Sequence, residues 1–274
     1  GLAAPYAVVA ATTALGLSWR VAVGVVTVVG AAYAAYCLYG FRTVSDDITR
    51  PGLAERPDER PTLRSVPGRI QSLLGTLTAS RGILGLTILA FLTSVSAWAI
   101  RTYTPSLLAA GYGLPGGTAS ALTSAMLVVG SGLILVGGAL TDRIGTGPVV
   151  IGGYGLLTVV AALLATLALP PLALGLVLVF SGSISLSRPA RSSLADALSA
   201  RADLGKNFAL VTIGISLGGA VAPPLFGYLI DAVGLARSFA LVSVLGACSL
   251  ALGWRIVRDA RQTAPSATPA AADD

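Results

Sequence analysis

The amino-acid sequence predicts an all-α polytopic membrane protein with about eight transmembrane helices. Three observations carry this reading. Hydrophobic residues make up 54% of the 274 residues and charged residues only 11%, less than half the share of about 25% found in soluble domains. Mean hydropathy is +0.82, which also excludes a disordered chain, because disordered chains are poor in apolar residues and rich in charge. The few charges are spaced so that the runs between them reach the length of about 20 residues that a bilayer-spanning helix needs. Those runs do not alternate apolar with polar residues, as transmembrane β-strands do.

Taken in order, the predicted spans are 1–18, 20–41, 82–108, 117–140, 148–169, 171–190, 207–231 and 237–257. Arg20 separates the first two. A Gly/Pro-rich turn at Gly111–Gly117 divides the third from the fourth. Pro170-Pro171 splits an uncharged run too long for one helix into the fifth and sixth. The stretch 42–81 is polar, Pro-rich and mixed in charge, and reads as a solvated linker, with a weak helical signal at 70–78. The tail after Arg261 reads as disordered. The domain reading is therefore two helices at 1–41, a linker at 42–81, a six-helix bundle at 82–258 and a tail at 259–274.

The net charge of +6 does not point to nucleic acid, because the basic residues are scattered over loops without a compact patch or aromatic interleaving. With eight spans, the arginines of the linker, Arg143, the group Arg188, Arg191, Arg201 and Lys206, and Arg255, Arg258 and Arg261 all fall on one side. Arg20, Arg237 and Arg101 remain for the other. By the positive-inside rule the linker and the C-terminus are expected to be cytoplasmic, in a multi-pass protein of the cell membrane.

There is no histidine, which removes the commonest general base and zinc ligand. Cys37 and Cys248 lie in apolar runs, show no metal-ligand spacing and read as free, buried small hydrophobes. No Gly-rich phosphate loop or metal-binding carboxylate set is visible. No catalytic residue, metal or cofactor is expected, and no enzymatic activity.

One phrase occurs twice. Gly138-Ala-Leu-Thr-Asp142-Arg143-Ile-Gly145 and Gly227-Tyr-Leu-Ile-Asp231-Ala-Val-Gly234 both read G-x-L-x-D-x-x-G, three helices apart and so on opposite membrane faces, as two inverted three-helix units would give. Frequent Gly and Asp helix stops give the same pattern without symmetry. The first copy resembles the cytoplasmic-loop motif of the major facilitator superfamily, G-x-x-x-D-R-x-G followed by two basic residues. Gly138, Asp142, Arg143 and Gly145 match, whereas Thr146 and Gly147 replace the basic pair. The run from Leu217 to Asp231 resembles that family's eleventh helix, and Ser18-Trp19-Arg20 the turn before its sixth.

The resemblance covers nearly the whole chain and implies helices five to twelve of a twelve-helix secondary transporter, with the N-terminal helices missing. It implies alternating access for a small solute, with or without a coupling proton or ion, in a monomer surrounded by lipid. It further implies a cytoplasmic gate in which Gly138 and Gly145 allow close turning, Asp142 faces a helix start and Arg143 pairs with Asp196. A non-transporting receptor, scaffold or degenerate remnant of the same fold is the competing reading.

Cavity candidates come from polar stripes on apolar helices. Thr87, Phe91, Ser94, Trp98, Arg101 and Pro105 follow helical spacing on the third span; Ser181, Ser185, Arg188 and Ser192 do so on the sixth. Interhelical packing by small residues is the alternative for the serines, and packing is the reading for Gly214 and Gly218. Ser94, Trp98, Arg101, Ser181 and Ser185 are the substrate candidates. Arg101 is placed near the outer edge of the bilayer, before a helix break expected at Pro105. There it either snorkels to headgroups or forms part of a vestibule for an anionic or polar solute.

Overall fold

Apolar runs with no water to satisfy their backbone must close every N–H and C=O internally, and the described residues do so as helices. The computed structural model describes residues 3–43, 81–199 and 204–263. The linker, the helical signal at 70–78 and the tail lie outside them. The helices are α1 (Ala3–Ala14), α2 (Trp19–Thr43), α3 (Arg81–Ser106, extended by a π turn over Leu107–Gly111), α4 (Gly116–Ile144) and α5 (Thr146–Ala165). There follow α6 (Pro171–Ser181), a 3-10 segment (Gly182–Ser185), α7 (Ser187–Ala197), α8 (Leu204–Val233) and α9 (Leu235–Thr263). Among the described residues six helices are long and apolar enough to cross a membrane. The other two expected spans differ from the reading above. The first is the short α1, and the sixth is α6 and α7, interrupted by the 3-10 segment at Gly182-Ser183-Ile184-Ser185.

The repeated phrase folds twice into the same corner. Gly145 alone joins α4 to α5 with φ of 85°, and Gly234 alone joins α8 to α9 with φ of 86°. In each corner the glycine N–H donates to the carbonyl four residues back, Thr141 or Ile230, at 3.0 Å. A left-handed backbone at this point suits glycine because a Cβ would crowd the following carbonyl. Since α4 and α8 run in opposite directions, the two corners lie at opposite ends of the bundle. This is the inverted arrangement of three-helix units.

Helices in lipid associate by close packing rather than by burial from water, and glycines mark the two tightest pairs. On α8, a Cβ at Gly214 would lie 2.5 Å from the Thr87 carbonyl oxygen, and one at Gly218 would lie 2.7 Å from that of Phe91. The Gly214–Gly218 pair is thus the seat of α3 on α8, as its spacing predicts. Ser94 Oγ donates to the Ile215 carbonyl at 2.7 Å and Tyr103 Oη to that of Pro223 at 2.5 Å, fastening the same pair. Helices α5 and α9 meet in the same way, with Gly246 against Thr158 and Ser243 Oγ donating to the Thr158 carbonyl at 2.9 Å. Two apolar cores result. One groups Leu107, Leu108, Leu164, Phe226 and Phe239; the other groups Ile83, Leu86, Val150, Leu194, Leu210 and Ile256.

The expected break at Pro105 does not occur. Helix α3 continues through it, as α8 does through Pro223 and Pro224. Pro105 has no N–H for the Arg101 carbonyl, and Tyr6 Oη on α1 donates to that carbonyl at 3.0 Å. Helix α1 lies against α4, so this bond ties three helices together.

Candidate functional site

Between α3, α4, the α6–α7 segment and α8 lies a cavity of about 350 Å³. Trp98 and Arg101 enter it from α3, and Ser181, Ser185 and Arg188 from the broken span. Met126, Leu127, Ser131 and Ile134 line it from α4, and Ile215 from α8. The arginines come from α3 and the broken span, and α4 and α8 contribute mostly apolar side chains, with Ser131 among them. The interruption at 182–185 positions the broken span's share. It keeps Ser181, Ser185 and Arg188 facing one way while α7 begins immediately below.

Arg101 lines the cavity. It lies about 29 Å along α3 from Gly82 and about 15 Å short of Gly111, at 1.5 Å per residue, because the helix runs on past Pro105. Its Nη2 donates to Ser185 Oγ at 3.5 Å, the outer limit for such a bond. Arg188 lines the same cavity, within electrostatic reach of Arg101 on one side and Arg191 on the other. Arg188, expected both on the sixth span's polar stripe and among the loop charges, and Arg191, expected among the loop charges, stand in the first turns of α7 and line the cleft.

A narrower cleft joining Arg101, Arg188 and Arg191 is lined by Thr93, Tyr154 and Ser187. Arg191 Nη1 donates to Thr93 Oγ1 at 2.8 Å, and that hydroxyl in turn donates to the Leu89 carbonyl at 2.7 Å. Buried Tyr154 faces the same guanidinium. Arg191 is therefore held in place, whereas Arg101 and Arg188 have no carboxylate partner among the described residues.

The structure brings Trp98, Arg101, Ser181 and Ser185 together at the cavity. Ser94 stands at the edge of the cleft with its hydroxyl committed to Ile215. Thr87 and Phe91 meet α8, and Ser192 is exposed. The cavity residues of α4, and Thr93, Tyr154 and Arg191, carried no sequence signal. They are single polar or ordinary apolar residues whose neighbours only the fold supplies. At the α4–α5 corner Asp142 and Arg143 are exposed in the last turn of α4, and Asp196 is exposed on α7. The expected Arg143–Asp196 ion pair is not formed among the described residues, and each charge is left to solvent. A Cβ on Gly138 would meet nothing within 4 Å, whereas one on its neighbour Gly137 would run into the Leu186 carbonyl.

An apolar multi-pass bundle built from inverted three-helix units around a polar cavity is an architecture found among secondary transporters. The chain belongs to the Major Facilitator Superfamily, whose family model matches residues 86–273. No curated protein matches it. Among solved structures, the fold is similar to that of a peptide transporter, POT, crystallised as a mutant in complex with sulfate. The TM-score is 0.58 and the identity 22%, covering 64% of this chain and 37% of that one. The chain thus spans little more than a third of that transporter's length.

Proposed function

We propose that this chain forms the C-terminal bundle of a secondary active transporter, with two helices of a preceding bundle, that moves a small solute across the cytoplasmic membrane by alternating access. The observation that carries this reading is the cavity of about 350 Å³, lined by two arginines and set within an apolar bundle. Charged groups inside a membrane span are expensive, by about 2.5–3.5 kcal/mol each on insertion scales, and mark solute pathways where they occur. In this reading Trp98, Arg101, Ser181 and Ser185 contact the solute, and Ser94 secures α3 behind them. Gly138, Asp142, Arg143, Gly145 and Asp196 belong to a gate on the linker side. Asp142 and Arg143 engage a second bundle in one conformation and are released to solvent in the other. The linker 42–81 and the tail 259–274 are cytoplasmic, the solute moves with or without a coupling proton or ion, and no reaction is catalysed.

Alternating access is tested without knowledge of the solute. Cys37 and Cys248 are replaced by serine, and Ser131, on the cavity wall, by cysteine. A membrane-impermeant methanethiosulfonate carrying a sulfonate group is then applied to right-side-out and to inside-out vesicles. Modification of position 131 from both faces is expected. Modification from one face only would overturn the transporter reading and favour the non-transporting alternative.

A further inference from the structure

We infer that the cavity binds a small amphipathic organic anion, its anionic group held between Arg101 and Arg188 and its apolar body laid against α4 and α8. This rests on the reading of the cavity as a solute site. Three guanidiniums, Arg101, Arg188 and Arg191, converge from two helices, and arginine remains protonated even when partly buried. The carboxylates of the described residues, Asp142, Asp196, Asp231 and Asp259, are all exposed, and the described ion pair, Arg258–Asp259 at 3.6 Å, lies at the end of α9. Arg101 and Arg191 are partly buried whereas Arg188 is exposed, and a charge withdrawn from water is stable when paired or otherwise compensated. Arg191 is partly compensated by Thr93 and Tyr154. Arg101 has only a long bond to Ser185, and Arg188 has less. An anion between them offsets their mutual repulsion, and each guanidinium offers a planar fork of donors suited to an anionic group.

Met126, Leu127, Ile134 and Ile215 of α4 and α8, together with Trp98, give the cavity an apolar share of wall. A purely inorganic anion would leave that share uncovered. The volume suits a molecule with an apolar body.

The test uses Trp98 emission in the purified chain, with Trp19 and Trp254 replaced by phenylalanine, in phosphatidylcholine nanodiscs at constant ionic strength. The probes are 4-phenylbutyrate, its amide 4-phenylbutyramide, and sodium sulfate. Saturable change is expected with the acid, at an affinity at least tenfold above those of the amide and of sulfate. Arg101→Gln and Arg188→Gln should each weaken the acid at least tenfold, while Arg258→Gln at the end of α9 leaves it unchanged. No saturable response to the acid, or equal affinity for acid and amide, overturns the inference in the unmutated cavity, whether or not the arginine variants fold. Sulfate binding as tight as the acid overturns the amphipathic part. Binding with one-sided labelling of position 131 leaves the anion site standing and removes transport; two-sided labelling without binding does the reverse.

Discussion

Pro105 and Tyr6 show how one side chain serves the acceptor that a proline strands inside a helix. A proline inside a helix removes one hydrogen bond and crowds the carbonyl four residues back, and in lipid no water can serve the stranded acceptor. Tyr6 Oη serves it. Tyr6→Phe should therefore destabilise the protein by about 1 kcal/mol, the net worth of one hydrogen bond. The loss should shrink to less than half in a Pro105→Ala background, where the residue-105 N–H returns to the Arg101 carbonyl. Thermal unfolding of the four proteins in detergent gives the coupling directly; identical effects of Tyr6→Phe in both backgrounds would show that the tyrosine merely packs. Arg101 belongs to the same scale. Lysine can occupy the same depth but lacks the planar five-donor fork. Arg101→Lys is thus expected to insert and fold normally while losing at least tenfold in affinity for the anionic probe. Wild-type affinity in that variant would mean that charge alone, without the fork, recognises the ligand.

At the scale of elements, adjacent glycines have opposite expected fates. Gly137 faces α7 so closely that the Leu186 carbonyl occupies the place of a Cβ, while Gly138 faces open space. Gly137→Ala must move one helix off another, an overpacking cost of about 1–3 kcal/mol. Gly138→Ala should fall within about 0.5 kcal/mol of the parent, as surface changes do. Melting temperature and detergent-extracted yield of the two variants distinguish them, and equal losses would refute the packing argument. This contrast also marks what was legible in the sequence. Gly138 stood out because the motif G-x-x-x-D-R-x-G contains it; Gly137 did not, since its role depends on a helix some fifty residues further on. Spans, corners and the Gly214–Gly218 contact were readable because hydropathy, glycine punctuation and small-xxx-small spacing are local signals. The 3-10 interruption at 182–185, the passage of α3 through Pro105 and the α4 wall of the cavity were not. Each involves partners distant in sequence, Tyr6 for Pro105 among them.

For the whole molecule the remaining question is orientation, and the structure changes the arithmetic behind it. Of the 18 basic residues, Arg101, Arg188 and Arg191 face the cavity or its cleft and carry no topological information. Positive charge orients a membrane protein through loops and span ends. With these three set aside, the bias strengthens. Arg20 and Arg237 alone stand at the α1–α2 and α8–α9 ends, while the linker, the α4–α5 corner, the α7–α8 connection and the end of α9 hold all the others. The Trp254 ring under the Arg258 guanidinium, 5.0 Å from its centroid, adds an aromatic anchor at the same end, of the kind found at membrane–water interfaces. Reporter fusions at Pro57 and Ala264 should accordingly give cytoplasmic signals, and one at Leu114, between α3 and α4, an external signal. Replacing Arg255, Arg258 and Arg261 together with glutamine should not invert the molecule, because the linker arginines still outnumber Arg20 and Arg237. An external signal at Pro57 in the unmodified protein would reverse the bundle and move the Asp142–Arg143 corner to the outer face, where it could not act as a cytoplasmic gate.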